Sequence, residues 1–232
     1  MSYLERPVDS PLVACTWERR TGSIREHRVV PDACVDLIWS GERLIVAGPD
    51  TRARVVASAP GTRSVGIRIR PGAAGAVLGL PARELCDHVP EAGDVLGRDA
   101  DPLLDALARG EDAHAVLLRA IASRGAAGPD PLVQTAIAAL GRPRAQVASV
   151  AGELGVSARQ LQRRVADAVG YGPKMLARVL RFRRLLALAP APLVELALDA
   201  GYADQAHMTA EVTRLAGLSP VRFFKDRTST GA

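Results

Sequence analysis

Two hydrophobic periods divide the chain. In "SVGIRIRPG" the residues Val65, Ile67 and Ile69 alternate with Ser64, Gly66, Arg68 and Arg70, which places the apolar set on one face of a sheet. "RVVPDACVDLIWSGERLIVAGPD" predicts two further strands, broken at Gly41 and closed by Gly48, Pro49 and Asp50. From Pro71 onward the apolar spacing changes to three and four, the period of helices. "ADPLLDALARGEDAHAVLLRAIASRG" predicts two helices, the second ending at Gly125, and "RGAAGPDP" has the composition of a linker. "DPLVQTAIAALGRP" predicts a short helix that starts on Pro131 and stops at Gly141 and Pro143. The expected organisation is an α+β N-terminal domain over 1–125, with an antiparallel sheet followed by helices, a linker over 126–130 and an all-α domain over 131–232.

The all-α part contains a repeat. "VAGELGVSARQLQRRVADAVGYGP" and "LALDAGYADQAHMTAEVTRLAGLSP" both read apolar-Ala-x-x-x-Gly-apolar, then carry Leu161 or Met208 and, four positions on, Val165 or Val212. Both close with Gly-x-x-Pro, at Gly170 and Pro173 and at Gly217 and Pro220. Only two copies occur, so this is a duplicated supersecondary unit and not a solenoid. Ala151 or Ala197 lets a second helix pack close to the first, and Gly155 or Gly201 supplies the positive φ that ends a helix and turns the chain. Ser157 and Asp204 are suited to cap the second helices. This is the pattern of two helix-turn-helix motifs, joined by a linker helix in "PKMLARVLRFRRLLALAP".

The exposed faces bear on what such motifs do. With Leu161, Val165 and Val169 inward, Arg159, Gln162, Arg163 and Arg164 face outward on the first motif. Arg and Gln are side chains that make bidentate bonds to guanine and adenine edges. On the second motif the outward set is Gln205, Ala206, His207, Thr209, Ala210 and Thr213. That face is polar and nearly uncharged, which predicts fewer base contacts or a backbone anchor. A plain helical bundle is the competing reading. Charge favours a polyanion partner: residues 142–232 hold 14 Lys+Arg against 7 Asp+Glu, about +7, while residues 1–141 hold 16 against 18, about −2.

At these residues the chain resembles the AraC/XylS family of bacterial transcription regulators. "VAGELGVSARQLQRRV", "LRFRRLLAL", "LVELALDAGYADQAHMTAEV" and "GLSPVRFF" fall in family order between about Pro131 and Asp226. The resemblance implies a seven-helix domain that binds adjacent major grooves of promoter DNA. It places Arg159, Gln162 and Arg163 at contacting positions of the first recognition helix, with Ser157 and Arg164 beside them, and Gln205, His207 and Thr209 at those of the second. Three places depart from the pattern: Ala210 stands where Arg is usual, Met208 and Val212 replace a Phe pair, and Gly172 replaces Ser. "VPDACVDLIWSG", "VAGPDT" and "GIRIRPGAAGAVLGLPARELCDHV" resemble the N-terminal domain of a subset of these regulators, which implies a regulatory domain and no particular ligand.

For the front half, Trp17, Asp36, Trp39 and Arg68 are the candidate lining of a ligand pocket. The expected partners are double-stranded DNA, RNA polymerase, a small-molecule effector and a second copy of the chain, without a membrane. No cofactor, metal ligand or catalytic residue is expected, and the predicted location is the cytoplasm, at the nucleoid. Cys15, Cys34 and Cys86 are scattered and form no C-x-x-C pair, so they read as buried thiols. The competing class is a DNA-targeted enzyme or a cysteine-based sensor drawing on Cys34, Asp36, His27 and His88. "RIRPGAAGAVLG", a strand running through a Gly turn into a helix, is a weak candidate anion site.

Overall fold

The computed structural model describes residues 2–22, 25–189 and 191–230, so the outermost residues of both expected domains lie outside the described residues. The strands are β1 (Ser2–Pro7), β2 (Val13–Arg20), β3 (Arg25–Val29), β4 (Val35–Trp39), β5 (Leu44–Ala47), β6 (Arg54–Ser58) and β7 (Arg63–Ile69). The first helices are α1 (Ala74–Leu78), α2 (Ala92–Leu96), α3 (Asp101–Ala108) and α4 (Ala113–Arg124). They are followed by α5 (Pro131–Leu140), α6 (Val147–Glu153), α7 (Ala158–Val169), α8 (Pro173–Leu188), α9 (Leu193–Asp199), α10 (Gln205–Ala216) and α11 (Pro220–Thr230).

β1, β2, β7, β4 and β5 form one antiparallel sheet in that order, and β3 and β6 pair separately as an antiparallel ribbon. The alternation in β7 does what its sequence predicts. Val65, Ile67 and Ile69 enter a core with Val35, Leu37, Leu44 and Val46 from the sheet and Val77, Leu78, Leu117 and Ile121 from the helices. A register shift between Val13 and Cys15 matters for the other face. Val13 belongs to that core, whereas Cys15, Trp17 and Arg19 line a cavity on the far side of the sheet. A β-bulge re-aims side chains in this way.

A second core gathers Val133, Ala136, Leu140, Leu161, Val165, Leu176, Phe182, Tyr202, Met208 and Val212 from α5–α11. It also takes in Ala33, with Val30 and Cys86 packed against it, so the two halves meet through apolar contact as well as polar bonds. α5 begins on Pro131, capped by Asp130, whose Oδ1 accepts from Leu132 N at 2.9 Å, and ends at Gly141 as its sequence predicts. Among the described residues no helix is long and apolar enough to cross a membrane.

Candidate nucleic-acid interface and the cavity behind it

α6 and α7 make the first helix-turn-helix. Gly155 takes φ +65° in the turn. Ser157 Oγ accepts from Gln160 N at 3.2 Å, and Gln160 Oε1 accepts from Ser157 N at 2.9 Å, closing a capping box. Leu161, Val165 and Val169 are buried. α7 ends at Gly170, φ +98°, and α8 begins on Pro173. The second motif, α9 and α10, repeats the plan: Gly201 takes φ +88°, Asp204 Oδ1 accepts from His207 N at 2.7 Å, and Met208, Val212 and Leu215 are buried. Gly217, φ +71°, precedes Pro220 at the start of α11.

The candidate contact residues differ in how free they are. Arg159, Gln162 and Arg163 are exposed on one face of α7, and no carboxylate pairs with either arginine among the described residues. The Gln162 amide lies over Gly172, where a Cβ would come within 2.2 Å of its Nε2. Arg164 turns aside to Asp130 at 3.3 Å. On α10 Gln205 is exposed and Thr209 half-buried, its carbonyl accepting from Thr213 Oγ1 at 2.7 Å. His207 packs edge-on against Tyr202, centroids 5.5 Å apart, and its Nδ1 faces Ala203 N at 3.3 Å. Ser157 and His207 thus both stabilise the turns from which their helices start.

The arginines of α8 are occupied internally. Arg178 bonds Glu211 of α10 at 2.6 Å, Arg181 lies over the Tyr202 ring at 5.4 Å, and Arg184 donates to Ala200 O at 3.2 Å at the end of α9. They fasten the second motif to the connector. Arg183 reaches the other way, to Asp32 O at 3.2 Å in the front half.

Front-half groups also hold the C-terminal ends of both second helices. Arg28 of β3 donates to Ala216 O at 3.0 Å, and Ala53 N donates to Leu215 O at 2.6 Å. Arg83 ion-pairs with Asp167 of α7, and a Cβ on Gly170 would lie 2.4 Å from Pro49 Cγ. Donors at a helix C-terminus satisfy carbonyls that have no partner within the helix.

Behind this contact lies a cavity of about 1260 Å³, lined by the five-stranded sheet, the β3–β6 ribbon and parts of α8 and α11. Trp17, Asp36 and Arg68 come together on its wall. Trp17 Nε1–H donates to Asp36 Oδ1 at 3.0 Å, and Arg68 Nε is 3.3 Å from the same oxygen. Arg68 also meets Asp32 at 3.4 Å and Glu5 at 2.7 Å. Burial lifts the Asp36 carboxyl to about 6 although Arg68 opposes the shift. For Arg68 burial works against the charge, but Asp36 and Asp32 outweigh it and hold its pKa above the ordinary value. Trp39 does not join them: it packs half-buried against the core on the opposite face of the sheet. Tyr3, Glu5, Arg19 and Asp32 are lining residues that sequence reasoning missed. The parity Cys15, Trp17, Arg19 was the available signal.

The other chemistry considered from sequence finds little support in the geometry. Cys15 and Cys34 are buried, burial raises both thiols, and no hydrogen bond joins Cys34 to His27 or His88 among the described residues. Among the described residues no group of three or more His, Cys, Asp or Glu is placed to hold a metal ion. The start of α1 is covered by α5: Gln134 donates to Pro71 O at 3.1 Å, and a Cβ on Gly72 would meet Gln134 and Ile137.

Comparison with known proteins agrees with the grammar of the two motifs. Residues 150–226 match the family described as "Helix-turn-helix domain", and residues 10–91 match "Domain of unknown function (DUF6597)". No curated protein matches the chain. Among solved structures, the C-terminal domain of AraT, a response regulator from Geobacillus stearothermophilus, is 24% identical, with 42% of this chain and 87% of that chain covered and a TM-score of 0.40. Apo ToxT from Vibrio cholerae is 10% identical, with 94% and 98% covered and a TM-score of 0.49. ToxT bound to an unsaturated fatty acid is also 10% identical, with 95% and 94% covered and a TM-score of 0.46. The C-terminal part of the chain, over residues 150–226, is thus a helix-turn-helix domain, carried behind a domain, over residues 10–91, whose family has no assigned function.

Proposed function

We propose that the protein is a one-component, sequence-specific transcription regulator. Residues 131–232 form the DNA-binding domain, 126–130 the linker, and 1–125 a domain that senses a small molecule or pairs two copies of the chain. The reading rests above all on the outward face of α7, where Arg159, Gln162 and Arg163 are exposed opposite a buried apolar stripe and the two guanidiniums have no carboxylate partner among the described residues. Such a face offers both phosphate neutralisation and bidentate base contacts. α8, 16 residues long, spans roughly 24 Å at 1.5 Å per residue. It would hold α7 and α10 at successive major grooves, about 34 Å apart along one side of the duplex. The second helix contributes through Gln205 and Thr209 and acts mainly as a backbone anchor, because Ala210 offers no charge and His207 is engaged with Tyr202.

The test is equilibrium binding of the full chain to its selected duplex over a range of salt. Affinity should fall steeply with salt as phosphate counterions are released. Arg163→Ala should cost roughly 1–3 kcal/mol of binding and relax specificity at one position, the signature of a base contact. His207→Ala should weaken DNA binding less. Losses in the reverse order would move the reading helix to α10, salt-independent affinity would contradict phosphate neutralisation by the basic face, and no binding to any duplex would remove nucleic acid as the partner.

A further inference from the structure

Among the described residues the cavity contains a guanidinium, that of Arg19, bonded to neither a carboxylate nor a backbone carbonyl, whereas those of Arg28, Arg70 and Arg183 donate to carbonyls. Arg19, on β2, lies 5.0 Å from the Tyr3 ring centroid and 5.9 Å from that of Trp17. One terminal nitrogen meets Nε2 of His27, and Nε is buried without a hydrogen-bond partner among the described residues. Burial lowers the Arg19 pKa from its ordinary value. Burial, together with Arg19, pushes His27 down to about 4, so the imidazole is neutral near pH 7 and adds no second positive charge, and in neither protonation state would it supply a countercharge.

Among the described residues, Glu5, Asp32, Asp36 and Asp50 of the cavity are engaged with groups other than Arg19. Glu5 accepts from the Tyr3 hydroxyl and from Arg68, Asp32 accepts from Cys34 N and ion-pairs with Arg68, and Asp36 accepts from Trp17 with Arg68 beside it. Asp50 pairs with Arg54 at 3.0 Å, and Glu26 and, on α11, Asp226 are exposed to water. An organic cation would find the Tyr3 and Trp17 rings already covered by Arg19 and the carboxylates already gathered round Arg68. A charge held partly out of water without a partner is costly, and an acid group brought to it forms a strong charge-assisted bond. Ile38, Ile45, Val55, Leu186 and Phe223 give the same cavity apolar walls, the usual make-up of a small-molecule site.

We infer that this cavity takes a small organic anion, whose acid group pairs with Arg19 while its apolar body lies against the walls formed by the sheet and the β3–β6 ribbon. The inference deepens the reading of the front half as a sensor and rests on it. Its test uses isosteric probes on the full chain: phenylacetate, phenethylammonium and phenethyl alcohol, with cyclohexylacetate and hexanoate to vary the body. Calorimetry should show the acids binding at least about tenfold more tightly than the ammonium or the alcohol. Arg19→Met should abolish that preference, Arg19→Lys should keep most of it, and Arg20→Met, at an exposed neighbour paired with Glu18, should leave it unchanged. The wild-type preference is informative whether or not Arg19→Met folds. Equal binding of acid and alcohol, preference for the ammonium, no binding by any acid, or an acid preference that survives Arg19→Met would each overturn the anion site. Duplex binding by the same preparation separates the two claims. DNA binding without an acid preference overturns the anion site alone, and an Arg19-dependent preference in a protein that binds no duplex overturns the regulatory reading alone.

Discussion

Gly66 has no side chain because Trp17 lies where one would go: a Cβ there would stand 2.1 Å from the indole. The flat approach brings Nε1–H of Trp17 to Asp36 across the intervening strand β7. Gly66→Ala should therefore destabilise the fold by roughly 1–3 kcal/mol, the usual cost of overpacking, measured by denaturant unfolding. An unchanged midpoint would mean that the indole yields freely. His27 provides a second test at this scale. Its pKa is about 4 in the folded chain against an ordinary 6.5, so between those values the unfolded chain binds the extra proton and stability falls as pH falls. His27→Gln should lessen the loss between pH ~7 and ~4.5, read as the difference in unfolding free energy between the two proteins. Asp36 and Asp50, both lifted to about 6 by burial, give slopes of opposite sign that are common to both proteins and cancel in that difference. Parity explains what was legible here. Trp17 and Arg19 share a face of β2, so choosing one implied the other, but an arginine near a strand end reads as solvated. Asp36 and Trp39 are an odd number of residues apart in one strand, and a regular strand sends them to opposite faces.

At the level of elements the second half was largely readable, because a helix-turn-helix is specified locally. Glycines at the turns, short oxygen-bearing caps and prolines at helix starts act within a few residues of themselves, and the structure places Gly155, Ser157, Gly170 and Pro173 in those roles. The glycines are not equivalent. Gly155 needs only its positive φ, with open space for 4 Å around the place a Cβ would take, whereas Gly170 has both a φ of +98° and Pro49 Cγ at 2.4 Å from that place. Gly155→Ala should cost about 1 kcal/mol and Gly170→Ala distinctly more, measured by thermal unfolding of the full chain. Equal costs would show that the contact with Pro49 is dispensable. What could not be read was the use of the α8 arginines. Their number suggested charge available to a polyanion, but Arg178, Arg181 and Arg184 are committed to Glu211, Tyr202 and the carbonyl of Ala200. Partners distant in sequence leave no local pattern. The β3–β6 ribbon was hidden for the same reason, its pairing being fixed only once the chain has folded.

Over the whole molecule, the front half does more than adjoin the helix-turn-helix half. Arg28, Ala53, Arg83 and the backbone carbonyl of Asp32 touch α10, α7 and α8, and the cavity borders on the same ribbon and on α8 and α11. A ligand that altered this contact would change DNA affinity, and DNA would change ligand affinity by the same factor. Composition hinted at the division of labour through the basic excess of the last ninety or so residues, but only the folded chain shows which cations stay free. The proposed reading of two grooves by one chain is tested most directly by a hydroxyl-radical and methylation-interference footprint of the full protein on its selected duplex. The account predicts two major-groove contacts on one side of the helix, about 10 base pairs apart, with Arg159→Ala or Arg163→Ala erasing one and leaving the other. A single contact region, or a footprint unchanged by both substitutions, would contradict it.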